Sequence, residues 1–151
     1  MRAGTGRWLA ARHADEEGMV VLWLLGVAAM LLMLGGLSID LWQVFSERRA
    51  LVGAADAAAF AGASGIDVDA YRADGSVVLA PVVAQQLAID ALARQQDLGV
   101  LAGAPAVSVT PTRVTVTLDG RVELTLLRLL APGTDALDLR VMATAEPRVG
   151  T

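Results

Sequence analysis

Residues Met19 to Ile39 read MVVLWLLGVAAMLLMLGGLSI, 21 consecutive positions without a charged side chain. At about 1.5 Å per residue a helix over this stretch is roughly 31 Å long, close to the ~30 Å hydrocarbon core of a bilayer. A buried core helix of this length would normally show a polar stripe, and none is present. A secretory signal would carry a shorter apolar run followed by an A-x-A-like cleavage site. Here the run leads into Ser38-Ile39-Asp40-Leu41-Trp42. The stretch reads as a membrane-spanning helix.

Outward from the span, the N-terminal side carries Arg2, Arg7 and Arg12, and the C-terminal side Arg48 and Arg49. Lys and Arg rather than acids set orientation, so three against two places the N-terminus in the cytoplasm and the remainder outside the plasma membrane. Trp23 and Trp42 lie near the two ends of the span, where amphipathic rings anchor at the interface.

The whole chain has 151 residues, 12 Arg, no Lys, 16 acidic residues and a formal charge of -4. That balance argues against a nucleic-acid partner, which requires a basic stripe. With 55% apolar residues the chain is too hydrophobic for a charged disordered segment, and without cysteine it has neither disulfides nor a thiolate metal site.

Beyond the span, Asp40 to Ser64 contains no proline and is rich in helix formers, so the helix is expected to continue to residue 64, with Gly65 ending it. Asp40, at the boundary, is expected to reach water. Small residues recur every fourth position at Ala50, Ala54, Ala58 and Gly62, with a parallel row at Gly53, Ala57, Ala61 and Gly65. Such rows allow close helix packing, although an alanine-rich helix produces them by composition as well.

Residues 66–79 read as a connection with a turn at Asp74-Gly75. Asp67, Asp69 and Asp74 raise the possibility of calcium, but the loop glycine an EF-hand needs falls on Arg72, leaving solvated loop acids. Pro81 suits the first turn of a second helix running to about Asp97, amphipathic, with Val83, Leu87, Ala91 and Leu92 on one face.

From residue 107 the apolar period becomes two. Val107 and Val109 mark one strand, and Val114, Val116 and Leu118 a second. Asp119-Gly120 is a two-residue hairpin signal leading into a return strand over Arg121 to Leu126. Leu137 to Ala143 makes a last strand. The leucine-rich stretch Leu126 to Leu130 is read as core, with an exposed partner patch as the alternative.

Chemistry has little to work with. The single histidine, His13, precedes the span, so a Ser-His-Asp arrangement drawing on the exported part would be divided by the bilayer. H-E-x-x-H, phosphate-loop and dinucleotide motifs are absent from the sequence, and no ionisable group interrupts the span. A non-enzyme with no cofactor, no metal and no small-molecule substrate is expected.

Glu16-Glu17-Gly18, the span, Ser38-Ile39-Asp40-Leu41, Glu47-Arg48-Arg49 and Ala54-Ala55-Asp56-Ala57-Ala58-Ala59 come in an order and spacing that resembles the TadE/TadG-like proteins of tight-adherence (Flp-type IV) pilus assembly. The likeness extends through Gly65 to Arg72, the Val-Thr strands at 113–118 and Met142 to Pro147. It implies a pseudopilin-like or minor-pilin-like component, with the bilayer and other pilin-like or Tad apparatus proteins as partners. It also implies a leader cut between Gly18 and Met19. Processed members of the family carry Glu at the fifth residue after the cut, where this chain has Trp23. A processed fibre subunit and an uncleaved membrane accessory both stay open.

The expected architecture is α+β: a leader (1–18), a transmembrane helix (19–39), its continuation (40–64), and a small exported domain (65–151) with a second amphipathic helix and a small antiparallel sheet. A membrane-anchored extracytoplasmic binding or sensing module unrelated to pili is the other functional reading.

Overall fold

A computed structural model describes residues 5–95, 99–130, 133 and 135–148. The chain divides into two compact units, Met1–Ile39 and Asp40–Thr151. One helix, α1 (Thr5–Ala63), contributes to both. Within the first unit it carries the uncharged stretch, where the apolar side chains are mostly exposed, Leu22 at 71% and Leu32 at 78% among them. A helix apolar on all sides and uncovered by protein is stable in lipid rather than in water. It is long and apolar enough to cross a membrane.

The second unit, the head, is α+β. Its three strands, β1 (Ala106–Thr110), β2 (Arg113–Glu123) and β3 (Ala136–Ala145), form an antiparallel sheet in the order β1-β2-β3. Alternation along β2 turns Val114, Val116, Leu118 and Val122 inward, each no more than 1% exposed. The head portion of α1 packs there through Leu51, Ala54, Ala55, Ala58 and Ala59, joined by Ala84, Ala88 and Leu92 of α3 (Pro81–Ala93). Alanine on the helices against valine on the sheet gives a thin, tightly packed layer, which suits a chain with 4% aromatic residues.

Several expectations are corrected. Asp119-Gly120 is not a hairpin turn: β2 runs straight through it, pairing Asp119 with Arg140 and Gly120 with Leu139 of β3. Among the described residues there are accordingly three strands, and the sheet's two-residue hairpin lies at Pro111-Thr112, between the paired Thr110 and Arg113. The phase of the sequence explains this. A hairpin at 119–120 would put Leu118 opposite Arg121 and turn Val122 and Leu124 away from Val114 and Val116. A continuous strand keeps all of them on one face.

Gly120 is needed for close approach, because a Cβ there would lie 2.5 Å from Leu51 Cδ1. Gly65 follows the end of α1 without a left-handed conformation; among the described residues positive φ occurs only at Gly75 and Gly133. Its constraint is also steric, since a Cβ would come within 2.8 Å of Ala84 Cα and N.

The connection at 66–79 contains a seven-residue helix, α2 (Val68–Asp74). Asp67 caps it by accepting from the N–H groups of Asp69 and Ala70 at 3.0 Å each, and Gly75 closes it at φ 76°. Helix α3 stops at Ala93, and Asp97 lies outside the described residues. Its buried face is Ala84, Ala88 and Leu92, whereas Val83 is 51% exposed. The leucine-rich stretch makes a short helical turn, α4 (Leu127–Leu130), preceded by half-buried Leu126.

Candidate functional site on the first helix

The head begins with a buried carboxylate. Asp40, expected to reach water, is 2% exposed. Its Oδ2 accepts hydrogen bonds from the backbone N–H of Leu126 at 2.8 Å and Leu127 at 2.7 Å, and its Oδ1 from that of Thr125 at 3.3 Å. These N–H groups open α4 and have no partner within that turn, so the carboxylate caps it from a distant part of the chain. The Leu127 N–H foremost, aided by those of Leu126 and Thr125, holds the Asp40 carboxyl below its ordinary value against the opposing cost of burial.

Along α1 the two small-residue rows have different surroundings. Ala54 and Ala58 are 1% and 0% exposed, and Gly62 is buried where a Cβ would meet Ala84 O and Val114 Cγ1 at 3.0 Å. Ala50, the first of that row, is exposed. In the second row Gly53 and Ala57 are exposed, Ala61 is half-buried and Gly65 buried. The outward face of the head's α1 thus carries Gly53 and Ala57 beside Val52 and Phe60, with Trp42 and Phe45 nearer its start. Gly18 and Met19, the candidate processing pair, lie inside α1, both exposed.

Residues 18–65 match the Tad family model, described as Putative Flp pilus-assembly TadE/G-like.

The matched segment begins at the candidate processing glycine, takes in the uncharged stretch and the whole head portion of α1, and ends at the glycine packed on Ala84. No curated protein and no solved structure matches the chain. The match covers about a third of the chain, and within it lies the helix that is long and apolar enough to cross a membrane.

Elsewhere the head offers modest chemistry. Asp119 and Arg140 pair across β2 and β3, Nε to Oδ1 at 2.6 Å and Nη2 to Oδ2 at 3.2 Å. The guanidinium lowers the Asp119 pKa, and the carboxylate raises that of Arg140. Arg121 faces Asp138 at 3.7 Å and Arg113 faces Glu146 at 2.9 Å, so charge pairs line the solvent side of the sheet. A depression beside them is lined by Ala102, Asp119, Gly120, Asp138, Leu139 and Arg140. Its two acids, Asp119 and Asp138, each face an arginine, Arg140 and Arg121 respectively. Among the described residues, no cluster of three or more His, Asp or Glu side chains could hold a metal.

The long-range role of Asp40 was not legible in the sequence. The only local sign is an acid directly after an uncharged span, and its partners lie more than 80 positions away.

Proposed function

We propose that the protein is a non-catalytic, pseudopilin-like or minor-pilin-like component of a Flp/Tad pilus-assembly or secretion apparatus. It is a single-pass protein of the plasma membrane with a cytoplasmic N-terminus and an extracytoplasmic head. Its partners are the lipid bilayer and other pilin-like or Tad apparatus proteins. The observation that carries the reading is the TadE/G-like match over residues 18–65, the part of α1 that joins the apolar stretch to the head's core. The physical logic supports it: a helix apolar all round can reside in lipid and later exchange lipid for neighbouring helices without redesign.

Deleting the gene in its native host and measuring surface fibres tests the assembly role. Loss of fibres, restored by the intact gene, is expected; normal fibre number and length would sink it. The N-terminus of the mature protein, read by mass spectrometry on membrane and sheared-surface fractions, then separates the two forms of the proposal. A start at Met19 in the sheared fraction marks a processed subunit, whereas an intact leader confined to membranes marks a permanent anchor.

A further inference from the structure

The head's sheet ends on a long strand. β3 lies at the edge opposite β1 and has ten residues, where about five or six is usual. Its register with β2 is unbroken from Ala136 to Ala145, with neither a bulge nor a proline. Among the described residues, the backbone of β3 pairs with β2 alone. Its outer edge therefore presents a straight row of N–H and C=O groups, a template for a further strand.

The side chains of β3 specify which strand fits. Leu139 is flanked by Asp138 and Arg140, of opposite charge, and then by Leu137 and Val141. Two copies of β3 set antiparallel about a two-fold axis at Leu139 place Asp138 of each opposite Arg140 of the other. The same register sets Leu137 opposite Val141. β2 continues the pattern inward, because Asp119 pairs with Arg140 and Arg121 with Asp138. Across the four strands each charged row of the solvent face then reads Asp119, Arg140, Asp138, Arg121, alternating in sign at every step. On the other face the rows read Leu118, Val141, Leu137, Val122 and are apolar throughout. Leu137 is 43% exposed beside the buried Val122, so it gains the apolar neighbour it lacks.

Neighbouring registers fail. A slip of two residues sets Asp138 against its own copy, or Arg140 against its own, and like charges directly opposite are destabilising. A slip of one brings the solvent face of one copy against the core face of the other.

We infer that the outer edge of β3 is a docking surface for a second copy of this chain, joined through Leu139 into one continuous antiparallel sheet. Edge charges of a single sign keep strands apart. An acid and a base two positions apart, one on each side of an axis, instead admit a strand with the reversed order, which the same strand supplies under two-fold symmetry. The other edge strand, β1, has five residues, none of them charged, and carries no such code. The inference concerns the head alone and does not depend on the pilus-assembly reading.

The chain has no cysteine, so full-length Thr144→Cys, substituted at an exposed position of β3, can carry a single nitroxide. Distances between labels are measured by pulsed electron paramagnetic resonance on the protein in detergent. Residue 144 lies five positions from Leu139, so the two labels stand ten residues apart along the paired strands, about 34 Å. The two-residue slips give about 27 Å or 41 Å. We expect a distribution centred near the first value. The featureless background of separate molecules would overturn the inference, and so would a distribution centred on either slip. Asp138→Arg and Arg140→Asp are then introduced one at a time into the labelled protein. Each sets like charges opposite one another at both positions and should reduce the paired fraction several-fold. An equal mixture of the two variants joins a doubly basic edge to a doubly acidic one and should restore the same distance, which variants that had failed to fold could not do. Undiminished pairing in either single variant, or no recovery on mixing, would overturn the inference.

Discussion

The Asp40 carboxylate lies 2.7 Å from the backbone nitrogen of Leu127, 87 positions along the chain. The contact ties the first residue of the head to the connection between its last two strands. Asp40→Ala would leave three N–H groups without their acceptor. Asp40→Asn can still accept from Leu126 and Leu127 through one oxygen, but it turns an N–H₂ toward Thr125. Thermal unfolding of the head should therefore be lowered most by alanine and less by asparagine. Equal midpoints for wild type and alanine would show that the clamp adds nothing.

The same carboxylate gives the head an acid dependence. Its folded-state pKa lies below the unfolded value of about 3.9, because the N–H groups favour the charged form. The stabilisation is thus complete above that unfolded value and disappears as pH falls through the lower folded one. Denaturant titrations from pH 6 down to about pH 2 should show wild type losing more stability than Asp40→Asn. Parallel curves for the two proteins would assign the acid sensitivity to other groups, such as Asp119.

Three glycines should respond differently to alanine. At Gly65 a methyl group meets backbone atoms of Ala84 at 2.8 Å, and helix α3 as a whole must move. At Gly120 it meets Leu51 Cδ1, the end of a flexible side chain in a fully buried setting. Overpacking of this kind costs about 1–3 kcal/mol, with Gly65 at the upper end and Gly120 below it. Gly53 has nothing within 4 Å and lies in an exposed helix interior, so Gly53→Ala should stabilise by about 0.5–1 kcal/mol. The ranking is read from chemical denaturation of the three variants, and a destabilised Gly53→Ala would contradict it.

The small-residue rows can be separated in the same way. Ala54→Leu and Ala58→Leu introduce bulk where the parent side chains are 1% and 0% exposed, so both should unfold the head before assembly can be asked about. Ala57→Leu lies on the exposed face and should leave the unfolding midpoint nearly unchanged. It is therefore the informative variant for helix packing between subunits. A stable Ala57→Leu protein that no longer supports fibre formation would place the contact on the Gly53–Ala57 row; full fibre formation would exclude that face.

Much of this architecture can be read locally. The long apolar helix follows from 21 uncharged residues, and the strands from alternating Val and Thr. Pro81 marks the start of α3 because it tolerates the first helical position. What cannot be read locally depends on distant partners. Asp119-Gly120 has the composition of a turn, yet Leu51 and the strand around Leu139 hold it extended. The long-range capping of α4 requires the fold to exist already. Within the candidate site the small-residue spacing is legible, but the direction each row faces follows from where the sheet docks.

The docking of α1 on the sheet also sets where the head can be cut. Leu51, Ala54, Ala55, Ala58 and Ala59 belong to the same buried cluster as Val114, Val116 and Leu118. A fragment starting at residue 65 would uncover that side of β2 and leave the strand's apolar face in water. A fragment of residues 38–151 retains the helix, the clamp at Asp40 and the whole cluster. The longer fragment should unfold cooperatively, whereas the shorter one should aggregate or show no cooperative transition. Circular dichroism melting and light scattering on the two fragments decide the matter. A cooperative melt of residues 65–151 equal to that of the longer fragment would mean that α1 is dispensable to the head and free to pack elsewhere.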